Sequence, residues 1–168
     1  MQRHPLELAR RWHEQAREDL IDADRALRDG RYHITCFFSQ QGCGKALKGL
    51  LHWGKGDAPR VPLIETLLAE LEAGDAGLEP ELRLRAIALD KYYTTTRYPD
   101  VLDYALPSAS FTRPEAMLAL EAAWDVIVHV AATLDAADHP RHYDRVNGTR
   151  ETLSGRGDWG HFSQVAAD

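Results

Sequence analysis

Ala9, Trp12, Ala16, Leu20, Ala23 and Leu27 return every three or four residues between Pro5 and Arg28. That period belongs to a helix with one apolar face. Further stretches repeat the pattern, and none shows the alternation of period two that a half-buried strand requires. Patterning of this kind predicts an all-α fold. At 168 residues, with 44% of them hydrophobic and 27% charged, the chain is long and apolar enough for one domain with a real core. Two full domains would be a squeeze.

The first helix is expected from Pro5 to Arg28, with proline suited to its first turn and Asp29-Gly30 to its stop. A second runs from Tyr32 to Trp53 on Ile34, Phe37, Phe38, Leu47, Leu50 and Leu51. Gly42, Gly44 and Gly49 are costly inside it, at about 1 kcal/mol each relative to alanine. Close approach of another backbone would explain them, and the same helix of a second copy is the approach expected. After the loop Gly54–Pro59, a third helix opens at Pro62 and ends at Gly74, and a fourth runs from Pro80 to Tyr93. Residues 94 to 113 form a long connection broken by prolines, and such a length usually has a purpose. A fifth helix follows from Pro114 to Leu134. The domain is expected to span residues 1–137. Residues 138–168, rich in Gly, Asp, His and Arg, read as a tail that is mobile or ordered by a partner.

A net charge of -6 argues against broad, nonspecific coating of DNA, while leaving room for a local basic groove. No apolar run approaches the roughly 20 residues of a membrane span and no signal peptide is visible, so the expected setting is cytoplasmic and away from membranes. Cys36 and Cys43 lie about 10 Å apart along one helix, too far for a disulfide, and read as reduced core residues. His139 and His142 have loose metal-ligand spacing without a third ligand, so no metal and no cofactor is expected. Phosphate-binding loops, nucleophile elbows and zinc-protease helices are all missing.

Polar residues at core spacing carry more information. Ser39-Gln40-Gln41 and Lys45-Ala46-Leu47-Lys48 put an amide pair and two lysines along a partly buried helix, where each must find a partner. Lys45 and Lys48, one turn apart, either grip phosphates or cover apolar surface with their stems while the ammonium groups reach water. Asp19 lies beside the first apolar stripe and needs a basic partner on a neighbouring helix. Arg97 and Asp100, bracketing Tyr98-Pro99, are expected to form a buried ion pair that locks the long connection.

Trp12, Asp19, the Ser-Gln-Gln and Lys-Ala-Leu-Lys segments, Tyr92-Tyr93 and Arg97-Tyr98-Pro99-Asp100 form an ordered series. In kind and spacing it resembles the HEPN family (higher eukaryote and prokaryote nucleotide-binding domains), over Leu8 to about Leu134. The resemblance implies an antiparallel up-and-down bundle of four long helices plus a short one, usually paired about a two-fold axis. Members are commonly encoded beside a minimal nucleotidyltransferase in a toxin–antitoxin-like pair, and others are metal-independent ribonucleases. Gly44 stands where the family usually has glutamate, and Val61 where a histidine often opens the third helix.

Ribonuclease members carry an arginine and a histidine about four to six residues apart near the start of the last long helix. Here His129 follows Arg113 with fifteen residues between, which does not match. Arg28 and His33 have the spacing but flank the Asp29-Gly30 turn, and chance explains them better. The leading expectation is therefore a non-catalytic homodimer that engages a nucleotide, RNA or a nucleotidyltransferase. Its ligand-binding candidates are Gln40, Gln41, Lys45, Lys48, Lys91, Arg97 and Asp100. Trp12, Asp19, Tyr92, Tyr93, Tyr98 and Pro99 are expected to shape the site. The rivals are an endoribonuclease (toxin) with Arg28 and His33 as its catalytic pair, and a purely structural dimerisation module.

Overall fold

A computed structural model describes residues 4–138. It is all-α, with α1 (Pro5–Arg28), α2 (Tyr32–Lys55), α3 (Ile64–Glu72), α4 (Pro80–Ile87), α5 (Tyr92–Thr95) and α6 (Arg113–Asp138). No strand occurs among the described residues. The bundle is antiparallel, and α2 is its axis, packed on α1, α6, α3 and α5. Three helices are long, at 24, 24 and 26 residues, while α3 and α4 have 9 and 8.

Apolar stripes from three helices meet around α2. Ala16, Leu20 and Ala23 of α1 and Ala123, Val126, Ile127 and Val130 of α6 are all at most 1% exposed. Burying one Val, Leu or Ile contributes about 1.5–3 kcal/mol, so the three long helices hold most of the fold's stability. By length and composition Arg113–Ala137 is apolar enough to cross a membrane, contrary to the reading that no run reaches that length. Leu120, Val126, Ile127, Val130 and Leu134 of this helix are core residues, while Leu118 and Val128 are exposed.

The glycines of α2 do mark a close approach, but the approaching backbone is α1 of the same chain. A Cβ on Gly42 would stand 2.9 Å from Leu20 Cδ2 and 3.1 Å from the Ala16 carbonyl oxygen. One on Gly49 would stand 3.0 Å from the Ala9 carbonyl and 3.2 Å from Trp12 Cβ. Gly44 faces Leu67 at an ordinary 4.0 Å. These contacts correct the expectation of a second copy at the glycines.

The expected fourth helix divides. After Ile87 the backbone tightens into three-residue turns, with Leu89 N–H donating to the Ala86 carbonyl and Asp90 N–H to that of Ile87. This places Asp90 at the start of α3, where its carboxylate accepts from Ile64 N–H at 2.7 Å and Glu65 N–H at 3.0 Å. That cap lies 25 residues downstream in sequence, and it starts α3 two residues later than Pro62. Residues 96–112 hold two short 3-10 turns, Pro99–Leu102 and Pro107–Ala109. Cys36 and Cys43 are free and buried. Burial pushes the Cys36 thiol up to about 12 and raises that of Cys43 as well. Asp138 ends α6, and the expectations for the tail, including His139 and His142, otherwise fall outside the described residues.

Candidate functional site

One face of α2 leaves the core between its two halves. Gln41, Lys45, Lys48 and His52 recur at spacings of four, three and four, and all four are half-buried. This stripe runs beside Trp12 of α1, whose ring stacks on His52 at 5.5 Å between centroids with a 22° interplanar angle. The segment that leads into α3 closes the other side. The result is a cleft of about 360 Å³ whose lining includes Trp12, Gln41, Lys45, Lys48, Arg60 and Tyr93.

Its polar groups are held from beneath. Lys45 Nζ lies 2.5 Å from Asp19 Oδ2, and the Asp19 side chain is only 5% exposed. Gln15 Nε2 donates to the other oxygen of Asp19 at 3.2 Å. Thus the buried carboxylate is satisfied from α1 and α2 together. Gln40, which is 1% exposed, donates through Nε2 to the Pro62 carbonyl at 2.7 Å and so ties α2 to the start of α3. Gln41 Nε2 in turn donates to Gln40 Oε1 at 2.7 Å.

Lys48 and Arg60 differ from Lys45: neither has an acidic partner among the described residues. Desolvation and the neighbouring Lys45 charge lower the pKa of Lys48, which marks a cation without its counter-ion. Gly44 and Val61, the two departures from the family pattern, also line the cleft. Gly44, where the family usually has glutamate, puts no carboxylate beside Lys48 and Arg60.

The remaining candidates lie elsewhere. Lys91 Nζ is 3.3 Å from Glu115 Oε1, and Tyr92 donates its hydroxyl to the same oxygen at 3.0 Å. Both line a separate groove between α4 and α6. Burial raises the Tyr92 phenol far above its ordinary range, so it remains a donor.

Arg97 corrects the expected ion pair. Arg97 and Asp100 are both exposed, and no contact joins them. Instead, Arg97 Nε donates to the Tyr93 carbonyl at 2.8 Å, a bond that Nη2 reinforces. The guanidinium lies 5.1, 4.4 and 4.9 Å from the ring centroids of Phe37, Tyr93 and Tyr98. Tyr98 is extended and Pro99 opens a 3-10 turn, so sequence adjacency does not become contact.

Arg28 pairs with Asp24 Oδ2 at 2.5 Å. His33 is buried with no hydrogen-bond partner for Nδ1, and desolvation lowers its pKa. No contact joins the two. Arg113 and His129 sit about 24 Å apart along α6 at 1.5 Å per residue. His129 lies half-buried in a different cavity beside Trp53 and Thr133. No group of His, Cys, Asp and Glu suited to a metal occurs among the described residues.

Sequence reasoning missed three residues at or beside this cleft. His52 continues the spacing of Gln41, Lys45 and Lys48, and that spacing was the available signal. Arg60 carried none, being one arginine in a loop. Asp90 acts at a distance that only the fold creates.

The sequence profile of the HEPN domain matches residues 9–132, which is most of the chain. The chain belongs to the HEPN family. Among solved structures, the HEPN fold here is similar to TT1696 from Thermus thermophilus. That protein is 40% identical, with a TM-score of 0.68, and the match covers 74% of this chain and 96% of that one. It is also similar to ST0689, described as an archaeal HEPN homologue, at 32% identity and a TM-score of 0.63. There the match covers 80% of this chain and 99% of the other. Comparison with curated proteins gives no match. For this HEPN chain the bundle, the cleft and the departures at Gly44 and Val61 are therefore read on one scaffold.

Proposed function

We propose that this HEPN protein is a non-catalytic nucleotide-binding partner of a minimal nucleotidyltransferase. Its cleft holds a nucleotide, free or within RNA, without cleaving it. The observation that carries this reading is a pair of cations, Lys48 and Arg60, with no acidic partner among the described residues, in a cleft that Trp12 and Tyr93 also line. Phosphate complements the cations, and a base has flat faces for the rings. The residues lining the cleft include no histidine, so the arginine–histidine pair of the ribonuclease members is not assembled there.

The protein-partner half of the proposal rests on the family resemblance and on exposed apolar residues. Val101, Tyr104 and Leu106 are 51%, 88% and 65% exposed along one short segment. Large apolar side chains exposed so close together in sequence support a contact with another chain, either a second copy in the expected homodimer or the transferase.

Titration calorimetry of the full chain with ATP and with a short RNA tests the binding half. Binding that weakens at least tenfold in the Lys48→Ala, Arg60→Ala double variant, with the RNA recovered intact, is expected. Absence of binding, or RNA cleavage by the wild type without added metal, removes the proposal. Co-purification from the native host tests the partner half, which fails if no nucleotidyltransferase is retained.

A further inference from the structure

The two glutamines of α2 form a relay whose direction follows from chemistry. The Pro62 carbonyl can only accept, so the Gln40 group bonded to it at 2.7 Å is the amide nitrogen. Gln40 Oε1 therefore turns toward Gln41, and the group that meets it at 2.7 Å must be a donor, Gln41 Nε2. Gln40 is 1% exposed, so water does not compete for this arrangement. A backbone carbonyl at the start of α3 thus sets which way a cleft side chain faces. Gln41 Oε1 is left without a donor among the described residues, and Gln41 lines the cleft with Trp12, Lys48, Arg60 and Tyr93.

We infer that Gln41 reads the base of the bound nucleotide, accepting through Oε1 from an exocyclic amino group and so selecting adenine over hypoxanthine. Glutamine meets adenine through just such an acceptor–donor pair, with its amide N–H free to donate to the adjacent ring nitrogen. Gln40 is a positioning residue: almost wholly buried at the cleft wall, it acts through Gln41 and forbids the flipped amide that would present N–H where the acceptor stands. Hypoxanthine carries a carbonyl at the position of the adenine amino group. Against Gln41 Oε1 it sets acceptor on acceptor. The inference rests on the nucleotide reading above and assigns that ligand its chemistry.

ATP and ITP differ at that one group, so calorimetry of the full chain with each is the test. The wild type is expected to bind ATP about tenfold more tightly than ITP, a factor set by one good side-chain–base pairing. Gln41→Met is expected to weaken ATP to the level of ITP. Gln40→Met is expected still to bind both nucleotides, but with ATP weakened and ITP strengthened until the ratio between them falls toward one, which a merely structural role would not produce. Should Gln40→Met fail to fold by circular dichroism, Gln41→Met, at a half-buried position, decides alone. Equal binding of ATP and ITP by the wild type overturns the inference and leaves the nucleotide reading standing. So does a preference that survives in Gln41→Met. Binding of neither removes both.

Discussion

Lys45 and Arg97 are each a cation set among apolar neighbours, and they are satisfied by opposite routes. Lys45 meets Asp19 across the α1–α2 seam, 26 residues away, with the carboxylate almost wholly buried. Arg97 has a carboxylate three residues away and does not use it. It takes the Tyr93 carbonyl and three aromatic faces instead. Two long helices hold their side chains in fixed relation, so a distant pair is specified. A short segment of 3-10 turns follows its own backbone, and neighbours in sequence need not be neighbours in space. The cleft belongs to the first kind of structure, and that is why its groups are poised.

The comparison breaks most visibly if the Lys45–Asp19 pair proves expendable. Lys45→Met leaves Asp19 buried with only Gln15 as partner and should cost about 3 kcal/mol, read from urea unfolding. Asp19→Asn should cost less, because Lys45 keeps 28% of its side chain exposed and can turn to water. Equal costs would show that the buried carboxylate is not the vulnerable member.

Next in size are the glycines on that seam. Gly49→Ala gains about 1 kcal/mol of helix propensity. It also drives a methyl against the Ala9 carbonyl at 3.0 Å and Trp12 Cβ at 3.2 Å, neither of which is a flexible chain end. Overpacking of this sort costs about 1–3 kcal/mol, and a net loss near 1 kcal/mol is expected. Gly44→Ala meets nothing closer than 4.0 Å and should stabilise by up to about 1 kcal/mol. Both effects should be independent of protein concentration, since the approaching helix is in the same chain. A melting temperature of Gly49→Ala that rises with concentration would restore the second copy to this seam.

Much of this was legible in the sequence, and what escaped follows one rule. Apolar period located α1 to its ends and α2 within two residues, because long amphipathic helices declare themselves in every turn. The need of Asp19 for a distant base, and the oddness of glycine inside α2, could be stated from residue types alone. Who answers those needs could not, since α1 and a partner's helix look alike from one chain. The break after Ile87 also hid, because Leu89 and Tyr93 continue the helical spacing through it. Only the folded position of Asp90 at the start of α3 explains it.

Arg97 sharpens the other side of the comparison. Arg97 itself is exposed, and a cation–π pair at an exposed site contributes about 0.5–1 kcal/mol, so Arg97→Ala should cost about 1 kcal/mol. That is well below the cost of breaking a buried pair. Asp100→Asn should change stability by less than about 0.5 kcal/mol, as exposed substitutions do. In a double-mutant cycle the two should show no coupling. A coupling above about 1 kcal/mol would mean that the expected ion pair forms in solution after all.

The smallest effect is expected where sequence adjacency is most tempting. Arg28 and His33 have the spacing of a ribonuclease pair, yet Arg28 is held by Asp24 at 2.5 Å one turn back on α1. His33 sits buried at the start of α2 with its Nδ1 enclosed. A phosphodiester-cleaving pair needs the imidazole at the attacking or leaving oxygen and the cation at the developing charge. Here a glycine turn with Gly30 at φ +70° separates the two, and neither lines the cleft that holds Lys48 and Arg60. Burial also lowers the pKa of His33, which disfavours the charged form that a general acid must carry. The Arg28→Ala, His33→Ala double variant should therefore match the wild type in any RNA assay, even where it melts earlier. Metal-independent cleavage by the wild type that vanishes in His33→Ala alone would reverse the order of the readings, because local spacing would then have built a site that the long helices did not.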